Sequence, residues 1–410
     1  MTSSKYINKQ YRKNLIIVVF SQIFSGLGLS AGISVGAILA REILGNDEFS
    51  GVPSMIFTIG SAAFAYIIGT LTNIYGRRIG LSTGFLMGSI GAIGVVISYS
   101  VNNIYIMLIS LFLYGSGAAT NLLSRYASTD LSPNNKKGKS ISITLVFTTV
   151  GVLLGPYLLH FINFYSSKFG VHEELSPFIL ASIGYGISFL IIIIFMRPDP
   201  LKLALKLRSS NQKNLNHNST TNIDKNSLWT SALIMIVVQI IMISIMTMTP
   251  LHMKDHRHHL SDINLVIGVH IASMFLPSLF TGVLVDKLGT RIMIIFSNIT
   301  FIIASIIAAF SSGESLISML LSLTLLGIAW NMGFISGTTM LIDATDIQNR
   351  AKIQGEVDIF IALAGALSSG LSGYLVLVFG FYKFALIFGA LSLILIPLSV
   401  KYLFKVKRYL

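Results

Sequence analysis

Apolar residues in this chain gather into blocks of about twenty between short polar breaks, without the strict alternation of strands. A helix of about 20 such residues rises about 30 Å, the thickness of a bilayer's hydrocarbon core. Blocks at 15–40, 52–73, 79–99, 104–124, 141–163, 178–196, 228–250, 262–285, 291–311, 316–341, 357–379 and 384–403 therefore predict twelve spans. Their abundant Gly and Ser and the scarcity of alternation argue against a membrane barrel. One gap differs from the others: 197–227 is rich in Asn, Ser and Lys and divides the spans six plus six. It predicts a polar linker with one short amphipathic turn at Leu201–Leu207, between an N-terminal bundle (1–196) and a C-terminal bundle (228–410).

Composition sharpens this picture. Hydrophobic residues make up 53% and charged residues 11%, against about a quarter charged in a soluble domain. The first block follows Lys5, Lys9, Arg12 and Lys13 but is too long for a signal peptide, so it reads as a retained span. The net charge of +13 reads as topology rather than nucleic-acid binding. With the N-terminus inside, twenty-four of the 29 Lys and Arg residues fall in inner segments, so both termini are expected in the cytoplasm. With no Cys, disulfides, thiolate metal sites and a cysteine nucleophile are excluded. The many Ile, Asn and Lys residues suggest an AT-rich bacterial genome and a location in the cell (plasma) membrane.

A repeat lies at the end of the second span of each half. Gly69-Thr-Leu-Thr-Asn73-Ile-Tyr-Gly76-Arg77-Arg78 is echoed by Gly282-Val-Leu-Val-Asp286-Lys287-Leu-Gly289-Thr-Arg291. A second echo follows spans 4 and 10, in Thr129-Asp130-Leu131 and Thr345-Asp346-Ile347. The decapeptide resembles the G-x-L-x-D-[RK]-x-G-x-[RK] signature of the major facilitator superfamily, and the resemblance extends over the whole chain. It implies an all-α membrane fold of twelve helices in two pseudo-symmetric six-helix bundles, with alternating access to a site at mid-membrane. It also implies an inner gate built from Gly69, Asn73, Gly76, Arg77, Arg78, Gly282, Asp286, Lys287, Gly289 and Arg291. The first copy departs from the signature, with Asn73 where the superfamily has Asp and Ile74 where it has a basic residue. Arg77 or Arg78 then needs an acid from elsewhere, and Glu356 or Asp358 at the start of span 11 is the expected partner.

Span 5 carries Gly151-Val-Leu-Leu-Gly155-Pro156, which resembles the antiporter signature of the drug/proton efflux branch, although Leu159 and His160 stand where the longer motif has Gly-Gly. Small residues four apart are also common in membrane helices for packing alone. No acid lies near the centre of a span; the resemblance implies a central acid in multidrug antiporters, so its absence argues against a dedicated organic-cation pump. The proton-coupling candidates are His270, a residue type whose unperturbed side chain titrates near neutrality, and the acids Glu42 and Asp358 at span ends. For His270 the reading as a neutral residue bonded between helices takes precedence over that of a proton carrier. By resemblance the cavity is lined by spans 1, 4, 7 and 10, whose polar and aromatic candidates are Gln22, Ser25, Tyr114, Asn121, Gln239, Trp330 and Asn331. The segment 251–259 is expected to be an outer loop, in which His252, His256 and His259 are weak metal candidates; no resident metal is assigned.

Gly26-Leu-Gly28 and Gly115-Ser-Gly117 lie inside spans and are not nucleotide loops, and no Walker sequence is present. No nucleophilic triad or carboxylate pair assembles, so no enzyme and no cofactor are predicted. The reading is a secondary active transporter, expected to be monomeric, that exports a small amphiphilic compound against protons. Its alternatives are uptake or facilitated passage of a nutrient or metallophore, and a membrane sensor on a transporter scaffold.

Overall fold

A computed structural model describes residues 3–29, 52–168, 172, 175–213, 225–311 and 315–401. Among these residues there is no strand. A backbone in hydrocarbon has no water to bond, so each segment closes its own N–H to C=O ladder as a helix. The helices are α1 (Ser3–Leu29), α2 (Val52–Tyr75), α3 (Arg77–Ser100), α4 (Ile104–Ala127), α5 (Lys137–Ser167), α6 (Ser176–Phe195) and α7 (Pro200–Lys213). They continue with α8 (Lys225–Asp255), α9 (Leu260–Phe275), α10 (Ser278–Leu288), α11 (Thr290–Phe310), α12 (Leu316–Ala344), α13 (Arg350–Leu391) and α14 (Leu395–Lys401).

Ten described segments are long and apolar enough to cross a bilayer. One of them, Arg350–Ser399, is long enough for two crossings. It turns at Gly380, whose φ of 73° falls in the region that favours glycine. With α1 this gives the twelve spans. Several boundaries differ from those the apolar blocks predict. The linker forms a 14-residue helix, α7, where one short turn was expected. Residues 251–255, expected in an outer loop, are the last turns of α8. Span 8 is interrupted at Leu276–Pro277, between α9 and α10, where Pro277 lacks an N–H to donate.

The chain forms two compact units. The first comprises Met1–Ser132, Ile143–Thr221 and Asp346–Ala362; the second comprises Pro133–Ser142, Asn222–Thr345 and Leu363–Leu410. In the first unit small residues let backbones approach closely: a Cβ on Gly151 of α5 would lie 2.9 Å from the Cα of Gly26 in α1. Tyr114 of α4 sits among Phe57, Phe178 and Tyr185, and its hydroxyl donates to the Gly28 carbonyl. In the second unit, Ser297 of α11 donates to the Ala329 carbonyl of α12 at 2.6 Å. Met253, Ile263, Val266, Met319 and Leu323 form an apolar cluster that joins α8, α9 and α12.

Candidate functional site

The first decapeptide turns between α2 and α3. Gly76 has a φ of 95°, which an L side chain rarely adopts, and a Cβ there would run into the Asp199 carboxylate. That carboxylate accepts the Arg78 N–H at 2.8 Å and, through its other oxygen, the N–H groups of Leu201 and Lys202 at 3.0 and 3.1 Å. Asp199 thus caps α3 and α7 together, placing a negative charge where both helices present unpaired donors. Arg78 also donates from its side chain to the Ile193 carbonyl at 2.9 Å.

Arg77 turns inward and is 1% exposed. Its guanidinium grips Asp130 through two bonds, of 2.8 and 3.2 Å, and donates to the Gln354 amide oxygen at 2.7 Å. The expected pairing of Arg77 or Arg78 with Glu356 or Asp358 is therefore incorrect. Glu356 faces outward, 3.9 Å from Lys352. The acid that serves Arg77 comes from the Thr129-Asp130 echo. Gly69 and Gly355 bring α2 and the start of α13 together, since a Cβ on Gly69 would lie 2.9 Å from the Gly355 Cα. Asn73 contributes little here, and its buried amide oxygen has no partner.

The second decapeptide turns between α10 and α11 at Gly289, with a φ of 87°. Asp286 occupies the position equivalent to Asn73. Its two oxygens accept the N–H groups of Gly138 and Lys139, each at 2.9 Å, at the start of α5. Lys137 meanwhile pairs with Asp343 at 2.5 Å. A Cβ on Gly138 would lie 2.7 Å from the Gly282 carbonyl, so α10 and α5 touch through glycine as α2 and α13 do. Lys287 lies on the last turn of α10. Thr290 replaces the inward arginine, and the buried Nε of Arg291 has no bond.

A second ionic cluster lies one turn farther along α13 from Gln354. Arg125 of α4, 0% exposed, donates to Asp358 at 2.7 Å and to the Tyr126 hydroxyl at 2.8 Å, while Tyr126 donates to the same Asp358 oxygen at 3.3 Å. The other oxygen of Asp358 is buried without a partner. Sequence reading missed Arg125 because it ended span 4 at residue 124 and counted the arginine among the loop charges. The available signal was its spacing of four from Asn121, which puts the two residues on one face of a helix.

The cavity candidates separate by unit. Gln22, Ser25 and Asn121 form a closed, buried amide–hydroxyl network: Asn121 donates to the Gln22 side chain at 2.8 Å and to the Ser25 hydroxyl at 2.6 Å. In the second unit the Trp330 indole N–H donates to Gln239 at 2.9 Å, and the ring stacks on Phe334 at 4.6 Å, with Phe275 on its edge. Asn331, the cavity candidate next to Trp330 in the chain, is turned elsewhere. It donates to the Met274 carbonyl at 2.7 Å and the Ser278 hydroxyl at 2.5 Å, bridging the break between α9 and α10.

His270 is fully buried, with Nδ1 2.8 Å from the Leu323 carbonyl and Nε2 unpartnered. His252 lies on α8 and stacks flat on Phe381, with ring centroids 4.0 Å apart, while His256 is a second neighbour at 4.3 Å. His259 is exposed at the start of α9. No group of three His, Asp or Glu among the described residues could hold a metal ion. Gly151, Gly155 and Pro156 fall within the continuous helix α5. Glu42 lies outside the described residues.

The Major Facilitator Superfamily model matches residues 18–260 and 232–409. The uncharacterized MFS-type transporter YdeG of Bacillus subtilis is 46% identical over 394 residues, covering 95% of this chain and 92% of that protein. A second B. subtilis protein, the uncharacterized MFS-type transporter YddS, is 43% identical over 407 residues, covering 98% and 93%. The riboflavin transporter RfnT of Brucella anthropi is 24% identical over 398 residues, covering 95% and 96%. Among solved structures, the proton:xylose symporter XylE superposes with a TM-score of 0.75 at 15% identity, covering 96% of each chain. The human organic anion transporter MFSD10 gives 0.74 at 15%, covering 95% of this chain and 99% of that one.

Proposed function

Because the chain belongs to the Major Facilitator Superfamily, and is a multi-pass membrane transporter rather than an enzyme, we propose that it exports a small amphiphilic compound in exchange for protons. The observation that carries the proton coupling is the Arg125–Asp358 pair. An ionised pair sealed between spanning helices costs several kcal/mol of desolvation, and intramembrane charges in transporters mark ion pathways. Export is supported by the Gly151–Gly155–Pro156 run, whose first glycine lies against Gly26. The amphiphilic character of the cargo is supported by Gln239 and Trp330, which present an amide and an aromatic face together.

In this reading the two six-span halves, 1–196 and 228–410, alternate access as a monomer in the bacterial plasma membrane, with the 69–78 and 282–291 turns as gates. A second reading, passage of a flavin-like nutrient, is favoured by the likeness to a riboflavin transporter along 95% of the chain. Proteoliposomes with an imposed pH gradient separate the two, using riboflavin and an amphiphilic fluorescent dye as probes. Dye accumulation that collapses when the gradient is dissipated supports exchange. Riboflavin counterflow indifferent to the gradient supports the second reading and ends the first.

A further inference from the structure

In the first unit α1 packs along α6, and two bonds mark off a stretch of the seam between them. At one end the Lys13 ammonium donates to the Arg197 carbonyl, just past the end of α6, at 2.8 Å. At the other the Ser188 hydroxyl reaches the Ser21 carbonyl at 2.8 Å. Between them lies a groove of about 360 Å³, lined by Ile16, Ile17 and Phe20 of α1 and Ile191 and Phe195 of α6, with Lys13 at its mouth. Ile16, Phe20 and Phe195 are exposed, so the groove opens on a face that lipid covers. From Lys13 to Ser21 the helix rises about 12 Å, most of the ~15 Å that one leaflet gives to the hydrocarbon core.

The mouth is cationic. Lys9 lies one turn before Lys13 on the same face of α1, and Arg12 and Arg197 are exposed at the same end of the two helices. This excess of basic residues marks the cytoplasmic end. The chain has no Asp or Glu before Glu42, and Asp199 spends both oxygens on backbone N–H groups. Among the described residues Lys9, Arg12, Lys13 and Arg197 form no ion pair. An ammonium has three N–H donors, and Lys13 commits one of them to the Arg197 carbonyl. A second groove, of about 560 Å³, lies between α1, α5 and α6 beside Phe24, Phe161 and Ile183, and no charged side chain lines it.

We propose that the groove headed by Lys13 is a site for one anionic phospholipid of the cytoplasmic leaflet, its phosphate at the Lys13 ammonium and one acyl chain along Ile17 and Phe20. The apolar floor accepts the chain of any lipid, and the charge at the mouth selects the head. A lysine suits this place because its stem lies along apolar surface while its ammonium stays at the interface. Lys9, Arg12 and Arg197 strengthen the field there, each basic residue near an anionic surface adding to the attraction. A zwitterionic lipid brings its own ammonium and cancels most of that gain. The bound lipid braces α1 against the end of α6, whatever the cargo and whichever way it moves.

The test uses full-length protein in detergent with a trace of phosphatidylglycerol carrying a diazirine on one acyl chain. Unlabelled phosphatidylglycerol or phosphatidylcholine of the same chains is added as competitor, and crosslinked peptides are mapped by mass spectrometry. Label is expected on 13–20 and 191–195, and phosphatidylglycerol should displace it at a concentration at least about fivefold lower than phosphatidylcholine does, the weight of one basic residue. Label in the uncharged second groove should yield to both lipids equally. Lys13→Gln should reduce the preference by about fivefold, and Lys13→Arg should keep it. Equal competition at the first groove, the same preference at both grooves, or a preference unchanged in Lys13→Gln overturns the proposal. If Lys13→Gln does not fold, Ile16→Trp takes its place and fills the groove from an exposed position. Loss of label there with the second groove still labelled supports the proposal, and undiminished label overturns it.

Discussion

The two copies of the decapeptide have the same backbone turn and the same glycine contact, yet they grip their neighbours by different chemistry. In the second copy the acid lies inside the motif, at Asp286, and binds the free N–H groups of Gly138 and Lys139. In the first copy that position is Asn73, whose oxygen holds nothing, and the grip has passed to Arg77, which is clamped by Asp130 and Gln354. One turn is a helix cap and the other is a buried ion pair. The difference teaches that glycine sets how close the helices come, while the charge that fastens them can move along the chain.

The largest effect should come from breaking the ion pair. Asp130→Asn leaves the Arg77 guanidinium buried without its countercharge, and the expected loss is about 3–5 kcal/mol, read as a lower melting temperature of the detergent-purified protein. If the loss matches that of a surface variant such as Glu356→Gln, the first copy is not held by this pair. Next in size are Gly69→Ala and Gly282→Ala, which force a methyl into occupied space at a cost of about 1–3 kcal/mol each. Similar losses at the two positions support a shared steric role, whereas a loss at only one would break the likeness.

Asp286→Ala should cost about 0.5–2 kcal/mol, the usual range for a lost cap, and the effect should be seen as faster amide exchange in the first turn of α5. Asn73→Asp is expected to bring no gain in stability, because the buried oxygen it charges has no donor beside it. The same change introduced into Asp130→Asn should not recover stability. Recovery there would show that the two acid positions are interchangeable, contrary to the comparison drawn above.

The spans and the repeated turns could be read from the chain because each rests on local physics. Hydrocarbon thickness sets block length, and a left-handed turn demands Gly76 and Gly289. The ion pairs could not be read in this way. Arg77 and Asp130 are 53 residues apart, and Arg125 and Asp358 are 233 apart. Their partnership depends on which helices pack together, and a hydropathy pattern does not carry that information. Arg125 and Asp358 were further obscured because a charged residue in a spanning helix reads as a boundary until its partner is known. His252 illustrates the opposite error. Followed by Lys254 and Asp255 it reads as loop, yet its ring is an aromatic surface lying on Phe381. Trp330 and Asn331 are neighbours in the chain, but on a helix adjacent side chains point about 100° apart, and these two serve different partners.

The α7 helix has a practical consequence. Its Leu201 and Ala204 are buried against Tyr11 and Leu131, and Arg208 reaches Asp346. A gene split for co-expression of the two polypeptide pieces should therefore be cut after Lys213, so that the strap stays on the fragment whose surface it covers. A cut at Pro198 would send it away with the wrong piece, leaving an oily seam on one product and a greasy tail on the other.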